Sequence, residues 1–432
     1  MNPEPYGTPF TRIPKPEDAV IYQVNPRAFS ESANFQGVTE RLDSIQALGA
    51  NVIYLLPIHP VGQIKTVNSP FCIRDYDSVA EEFGTLEDLR QLIDGAHSRN
   101  MAVILDWVAN HTAWDHPWIK TKSWYLQDAE GNIISPLNTG WNDVAALDYG
   151  NPDVRKAMIK AMKDWVYRAN IDGFRCDAAD FVPADFWTEA LRELCEIPGR
   201  NLFLFAEGTR NDLFSSGFQL RYGMESFETL KEVMRDGKSV KTLDTLIQNS
   251  EKTKTHSEQQ IVRYTTNHDV NRTDGTPEEL FGGASGALAA FVVSAFQNCV
   301  PMIYNGQEIG YPKRLDYFSS STTIHWPAHS LVTDTYRDLL AFRQSSKALK
   351  NGTYTSFSSD DVCAFQMSTS SETVLVLVNL RNHPVRYSIP NSFLQSTVRM
   401  QTVPIDRSEL VLAPCISLDA HQFAIFKSAL ST

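Results

Sequence analysis

Eight short apolar runs alternate with helix-patterned segments over the first 310 residues, and no other feature constrains the fold as strongly. The runs are Ala19–Val24, Asn51–Leu56, Met101–Asp106, Ile171–Arg175, Asn201–Ala206, Gly217–Tyr222, Ile261–Thr266 and Val300–Asn305. Runs of this length between helical stretches read as parallel strands buried on both faces. The stretches between them carry helical stripes. Leu42, Ile45 and Leu48 share a face of Thr39–Leu48, with Gly49 as a stop. Leu86, Leu89, Leu92, Ile93 and Ala96 do so within Thr85–Asn100, and Val154, Met158, Met162, Trp165 and Val166 within Pro152–Asn170. Eight such units imply an α/β chain closed into a (β/α)8 barrel, the TIM-barrel architecture.

With 432 residues the chain exceeds one core, so a second domain is expected. After a last helix at Thr333–Ser345 the pattern turns to period two in Tyr354–Phe357, Val362–Met367, Thr373–Asn379, Val385–Ile389 and Gln422–Lys427. We expect a barrel domain over 1–349 and an antiparallel β domain over 350–432. The connection after the third strand is long and has no helical pattern, so residues 112–151 should form an inserted subdomain. It holds Trp114, Trp118, Trp124 and Trp141, half of the eight tryptophans. Asp128–Asn132 reads as a hairpin turn. Trp124 precedes a strand-like run and should pack this subdomain's own core. Trp141 lies in a polar, turn-forming stretch that returns to the barrel rim, so it should face the cleft, where an aromatic ring can stack on a sugar.

The formal net charge is −12 and no Lys/Arg run occurs, which argues against nucleic acid or an anionic membrane as partner. No apolar stretch is long enough to span a bilayer. The polar, Pro-rich N-terminal segment is unlike a secretion leader, so a complete chain would be cytoplasmic; one whose leader had been removed would be periplasmic or extracellular. Oligomeric state is not legible. The six cysteines are widely spaced, without CxxC or His/Cys ligand spacing, and are expected to be buried free thiols with no zinc site.

Acids gather where the runs end. Asp177, Glu207 and Asp269 follow three of them, and a fourth ends in Asp106, Asn110 and His111. In a parallel barrel that rim carries the chemistry. Cleavage of a glycosidic bond with retention needs two carboxyl groups ~5 Å apart, one to attack and one to protonate the leaving oxygen. Asp177 suits the nucleophile because Arg175, two residues earlier on the same strand face, keeps a carboxylate ionised. Glu207 suits the acid because it ends an almost wholly apolar strand, where low polarity raises a carboxyl pKa. His268, Asp269 and His111 would bind hydroxyls. Taken singly, each has a plainer reading: an Asp after a strand as a helix cap, Arg175–Asp177 as a structural ion pair, His268 as a core histidine. Four such sites on one rim are harder to explain that way.

The chain resembles the α-amylase family, glycoside hydrolase family 13, in four blocks that occur in order: DWVANH (106–111), GFRCDAAD (173–180), FAEGT (205–209) and TNHD (266–269). IYQVNPRAF (21–29) and YNGQEIG (304–310) resemble that family's first and eighth strands. The resemblance implies Asp177 as nucleophile, Glu207 as acid/base and Asp269 as transition-state stabiliser. Arg175, His111 and His268 would be substrate-site partners, and Phe71 stands where the family usually has a stacking Tyr. Ala178 after the nucleophile leans towards α-1,4 linkages. Asp180 and Phe181 replace the family's usual His or Lys, and Gly208-Thr209 replaces its usual residues after the acid. Asn110 matches a family calcium ligand, which leaves calcium open, but the Asp-rich calcium loop is absent from 34–43 and the other ligands cannot be placed, so no cofactor is expected to be required. The implied activity is hydrolysis of starch or maltooligosaccharides. The alternatives are a transglycosidase with the same residues and a non-catalytic sugar-binding barrel. Metal-dependent hydrolysis lacks a ligand cluster in the sequence.

Overall fold

The computed structural model describes residues 3–390, 400–403 and 412–428. Eight parallel strands close into a barrel: Ile21–Val24, Val52–Leu55, Ala102–Val108, Gly173–Asp177, Phe203–Ala206, Leu220–Tyr222, Gln260–Arg263 and Val300–Tyr304. Each pairs with its neighbours in sequence, and the first closes on the eighth, with Ile21 opposite both Val52 and Met302. Every barrel-strand residue is buried, as strands covered on both faces require.

The ends of the strands differ from expectation in ways that matter. The third runs on to Val108, so Asp106 sits inside it, in register with Arg175. The fourth runs to Asp177, which is therefore its last residue rather than a residue beyond it. The seventh stops at Arg263, and Asp269 lies in the first turn of the short helix His268–Thr273. Asn267 caps that helix by accepting the Val270 N–H at 2.9 Å.

Helix starts follow side-chain caps. Thr85 and Asp88 form a reciprocal capping box at the head of Leu86–Ser98. Asn151 caps Pro152–Ala169, which ends on left-handed Asn170. The single helix expected over Thr39–Leu48 is instead two, Phe35–Thr39 and Leu42–Leu48. The break at Glu40–Arg41 leaves the Arg41 guanidinium 4.2 Å from the Trp326 ring, and Gly49 ends the second piece at φ 102°.

The inserted segment is built on a short antiparallel pair, His111–Ala113 with Val144–Ala146. The Asp128 carboxylate organises a turn by accepting N–H groups of Glu130 and Asn132, flanked by the bridge Gln127–Ile133. Contrary to the helix-free expectation, two 3-10 turns occur, Pro117–Lys120 and Lys122–Trp124. Trp124 is thus in a turn and half-buried, packed edge-on to Trp118 at 5.1 Å. The buried anchor is its neighbour Tyr125, whose hydroxyl meets Thr112 Oγ1 at 2.8 Å.

Beyond Leu331–Ser345 and Lys347–Asn351 the chain forms an antiparallel sheet in the order Thr353–Ser356, Val362–Ser368, Thr373–Asn379, Phe423–Ser428, Met400–Thr402. Val385–Ser388 pairs with Cys415–Leu418 across a second apolar cluster. Met400–Thr402 and Cys415–Leu418 were not expected as strands. The parts of the expected C-terminal domain at 391–399, 404–411 and 429–432 lie outside the described residues. Arg381 fastens this sheet to the barrel by donating to the carbonyls of Val233 (2.6 Å) and Lys238 (2.9 Å). All six cysteines are free; Cys195 and Cys415 are exposed rather than buried, because each sits on an outward face of its element. Among the described residues no helix is long and apolar enough to cross a membrane.

One glycine is essential to this arrangement. A Cβ on Gly173, at the start of the fourth strand, would lie 2.0 Å from the Phe203 carbonyl oxygen, and its φ is 153°. Gly173→Ala should therefore cost about 3 kcal/mol, the upper range for an overpacked site. The chemical-denaturation midpoint should fall accordingly; an unchanged midpoint would contradict this packing.

Candidate active site

Burial on this scale leaves charged side chains with few options, and Arg175 shows how they are met. It is fully buried on the fourth strand. Its Nη1 donates to Asp106 Oδ1 at 2.8 Å and to Asp177 Oδ1 at 2.9 Å. Its Nη2 lies 2.8 Å from Glu207 Oε1, an ion contact out of line for a hydrogen bond. One guanidinium thus faces three carboxylates from three adjacent strands. The rings of Tyr54 and Tyr222 flank it at 5.7 and 5.5 Å. Tyr54 also donates to Asp106 Oδ2 at 2.5 Å.

This cluster would be two charges negative if all three acids ionised. Burial, and then the neighbouring Glu207, push the Asp177 carboxyl well above its usual range, against the pull of Arg175. Burial raises Asp106 to about 6, again opposed by Arg175. The expectation that Arg175 alone keeps Asp177 ionised is therefore too simple: the same cation is divided among three acids. Nor is Glu207 in purely apolar surroundings. It contacts Arg175, and its Oε2 accepts the Ala178 N–H at 2.7 Å. Ala178 takes a left-handed φ of 44° to aim that N–H.

Asp269 stands apart. Its side chain is 47% exposed, against 11% for Asp177 and 17% for Glu207. Tyr317 donates to its Oδ1 at 2.6 Å, and His268 Nε2 lies 3.2 Å from its Oδ2. Gln23 Nε2 lies 2.9 Å from His268 Nδ1, so the amide as assigned makes Nδ1 the acceptor and Nε2–H the donor towards Asp269. Phe71 stacks on His268 with centroids 5.3 Å apart. His111 Nε2 donates to the Phe71 carbonyl and Nδ1 accepts from Asn110, both at 3.2 Å. Burial lowers His111 to about 4, so it is neutral at pH 7 and both nitrogens are occupied. It therefore offers the cleft no free N–H.

Asp177, Glu207, Asp269, Phe71, His111, His268 and Trp141 line one cleft of about 480 Å³, with Arg175 beneath its acids. Trp141 is 36% exposed and lies 5.5 Å from the His111 ring and 5.6 Å from Phe181. The sequence reading missed Tyr54, Gln23 and Tyr317. Among the described residues no group of three or more His, Cys, Asp or Glu side chains is placed to hold a metal ion. The Asn110 amide nitrogen faces the His111 ring, 3.2 Å from Nδ1.

Arg175→Met would strip two buried acids and the partly buried Glu207 of their cation and should cost ~3–5 kcal/mol. A carboxyl whose folded pKa is raised binds its proton more tightly in the folded state. For Asp106, raised from 3.8 to about 6, this favours folding at low pH and is lost as pH rises through about 6. The deficit of Arg175→Met should therefore widen from pH 5 to pH 8, as denaturation curves would register; a pH-independent deficit would count against the cluster.

A family model described as the alpha amylase catalytic domain matches residues 23–130 and 120–215. Alpha-amylase MalA of Haloarcula japonica is 26% identical over 400 residues, 87% of this chain; the chain spans 57% of that relative's length. An oligo-1,6-glucosidase of Bacillus sp. is 32% identical over 37% of the chain and 38% of its own length. The crystal structure of an alpha-amylase from Lactobacillus plantarum superposes with a TM-score of 0.84 at 26% identity, covering 96% of this chain and 99% of that one. With its closed barrel and the carboxylate-lined cleft at its rim, the chain is similar to α-amylases: residues 23–215 match their catalytic-domain model, and most of the chain aligns with two of the relatives above.

Proposed function

We propose that the chain is a retaining α-glucan hydrolase that cleaves α-1,4-glucosidic bonds of starch or maltooligosaccharides. One observation carries the reading: Asp177 and Glu207 contact the two Nη atoms of one guanidinium, in a cleft that also holds Asp269. Asp177 attacks the anomeric carbon as the glycosidic C–O bond breaks, and Glu207 gives its proton to the departing oxygen. Glu207 then takes a proton from water, whose oxygen displaces Asp177 from the sugar. Asp269 and His268 hold ring hydroxyls and favour the oxocarbenium-like state. Arg175 orients both reacting acids; Phe71, His111 and Trp141 shape the surrounding surface. Burial favours a proton on Asp177, yet cleavage requires it on Glu207. Both acids touch Arg175, so this transfer stays inside one ion cluster and changes no net charge.

The α-1,4 choice rests on small Ala178 after the nucleophile and on the amylase relatives that span most of this chain. No metal enters this mechanism. A transglycosidase is the second reading, favoured by Trp141 and Phe181, whose exposed rings can hold an acceptor sugar at the rim.

Maltoheptaose digestion followed by NMR should give shorter maltooligosaccharides, first released as the α-anomer. Longer products would favour the transferase, and no products the non-catalytic barrel. Asp177→Asn should lose at least ~10³-fold in kcat/KM, about 4 kcal/mol of barrier, while remaining folded. Near-normal turnover in that variant would overturn the mechanism.

The tryptophans separate binding from stability. Trp141→Ala should raise KM for long oligosaccharides by roughly fivefold, of order 1 kcal/mol of stacking, with little change in Tm. Trp124→Ala should lower Tm without altering KM. Because Trp124 is only half-buried, its loss should fall below the ~3–5 kcal/mol of a fully buried aromatic. Steady-state kinetics and thermal melting of both variants check the assignment, and the reverse pattern would refute it.

A further inference from the structure

Two places where this chain departs from the family blocks meet each other in space. Asp180 follows the nucleophile strand, and Gly208-Thr209 follows Glu207. The Asp180 carboxylate accepts the Thr209 N–H at 2.8 Å, the Thr209 hydroxyl at 3.2 Å and the Arg210 N–H at 3.1 Å. Arg210 answers from the other side, donating through Nη1 to the carbonyls of Asp180 at 2.7 Å and Val182 at 3.1 Å. A Cβ on Gly208 would lie 2.3 Å from Asp180 Oδ1, so the close approach requires a glycine there. Between these contacts sits the acid itself. The Glu207 carbonyl accepts the Ala179 N–H at 2.8 Å, and its side chain accepts the Ala178 N–H at 2.7 Å.

We infer that Asp180 is a positioning residue: with Gly208 it clasps the loop after Glu207 to the loop after Asp177 and so sets where the Glu207 carboxyl stands relative to the bond it protonates. The inference rests on Glu207 being the acid. Asp180 takes no part in the chemistry; it satisfies two backbone donors that would otherwise let the 208–210 loop drift from the 178–182 loop. A displacement of about 1 Å at a proton donor costs on the order of 10²-fold in rate. That loss is specific, because a good leaving group needs little protonation.

The test compares kcat/KM for maltoheptaose with that for a dinitrophenyl α-maltoside in the wild type and in Glu207→Gln, Asp180→Ala, Asp180→Asn and Gly208→Ala. Asp180→Ala should lose on the order of 10²-fold on maltoheptaose and only a few-fold on the aryl glycoside. Asp180→Asn keeps one acceptor oxygen and should recover part of the loss; it also serves if Asp180→Ala does not fold. Gly208→Ala should reproduce the selective loss, and the Asp180→Ala/Gly208→Ala pair should be less than additive, since the nearest clash partner is gone and only Leu213 Cδ1, at 2.7 Å, still crowds the added methyl. Equal losses on both substrates, or strict additivity, would overturn the inference. If Glu207→Gln is itself indifferent to the leaving group, the assignment of Glu207 as acid fails instead. If Glu207→Gln is selective and Asp180→Ala is not, only the clasp fails.

Discussion

A single buried cation holds three strands of the barrel to a common purpose. The Arg175 guanidinium contacts Asp106 on the third strand, Asp177 on its own and Glu207 at the end of the fifth. Among the described residues no other basic group is bonded to Asp106 or Asp177, so the ionised form of each depends on Arg175. The barrel supplies what this requires: adjacent parallel strands in register, with Asp106 opposite Arg175 and Arg175 opposite Phe205. Gly173 lets the fourth strand pass close to the fifth, and Tyr54 and Tyr222 wall the guanidinium. Strand register and acid placement are thus one constraint seen from two sides.

What was legible in the sequence was local. Each strand run carries its own apolar signature, and the eight of them imply the barrel before any contact is known. Asp177 and Glu207 could be placed because they terminate those runs. Arg175 could be paired with Asp177 because both lie two residues apart on one strand face. The rest depended on distance. That Arg175 also serves Asp106 and Glu207 follows from strand stagger, which no short window encodes. Gln23 and Tyr317 reach the site from separate elements, 245 and 48 residues from the groups they bond. Neither has a local pattern that sets it apart from other polar or aromatic residues. The inserted segment was harder still, because its turns are held by single side chains such as His116, which accepts the Trp118 N–H, and not by a repeating period.

The apolar surroundings inferred for Glu207 show the limit of reading a strand by composition. Phe203–Ala206 is wholly apolar, yet the residue that follows meets an ion and an amide, because the strand's end faces the rim rather than the core. The departures at Asp180 and at Gly208-Thr209, seen separately in the sequence, prove to be halves of one contact. An acidic side chain and a missing Cβ mean little apart. Together they describe a loop drawn in tightly by its neighbour.

The acids of this cleft do not rest on equal foundations. Asp177 ends a strand and Glu207 directly follows one, whereas Asp269 stands on a six-residue helix tied back by Tyr317 from a separate loop. The barrel's hydrogen-bond ladder fixes the first two to each other, and any shift in one is felt across several strands. The third is adjustable: a change in the loop bearing Tyr317 can tilt Asp269 without touching the barrel. A scaffold divided in this way can hold Asp177 and Glu207 constant while the wall that carries Asp269 varies independently of the barrel.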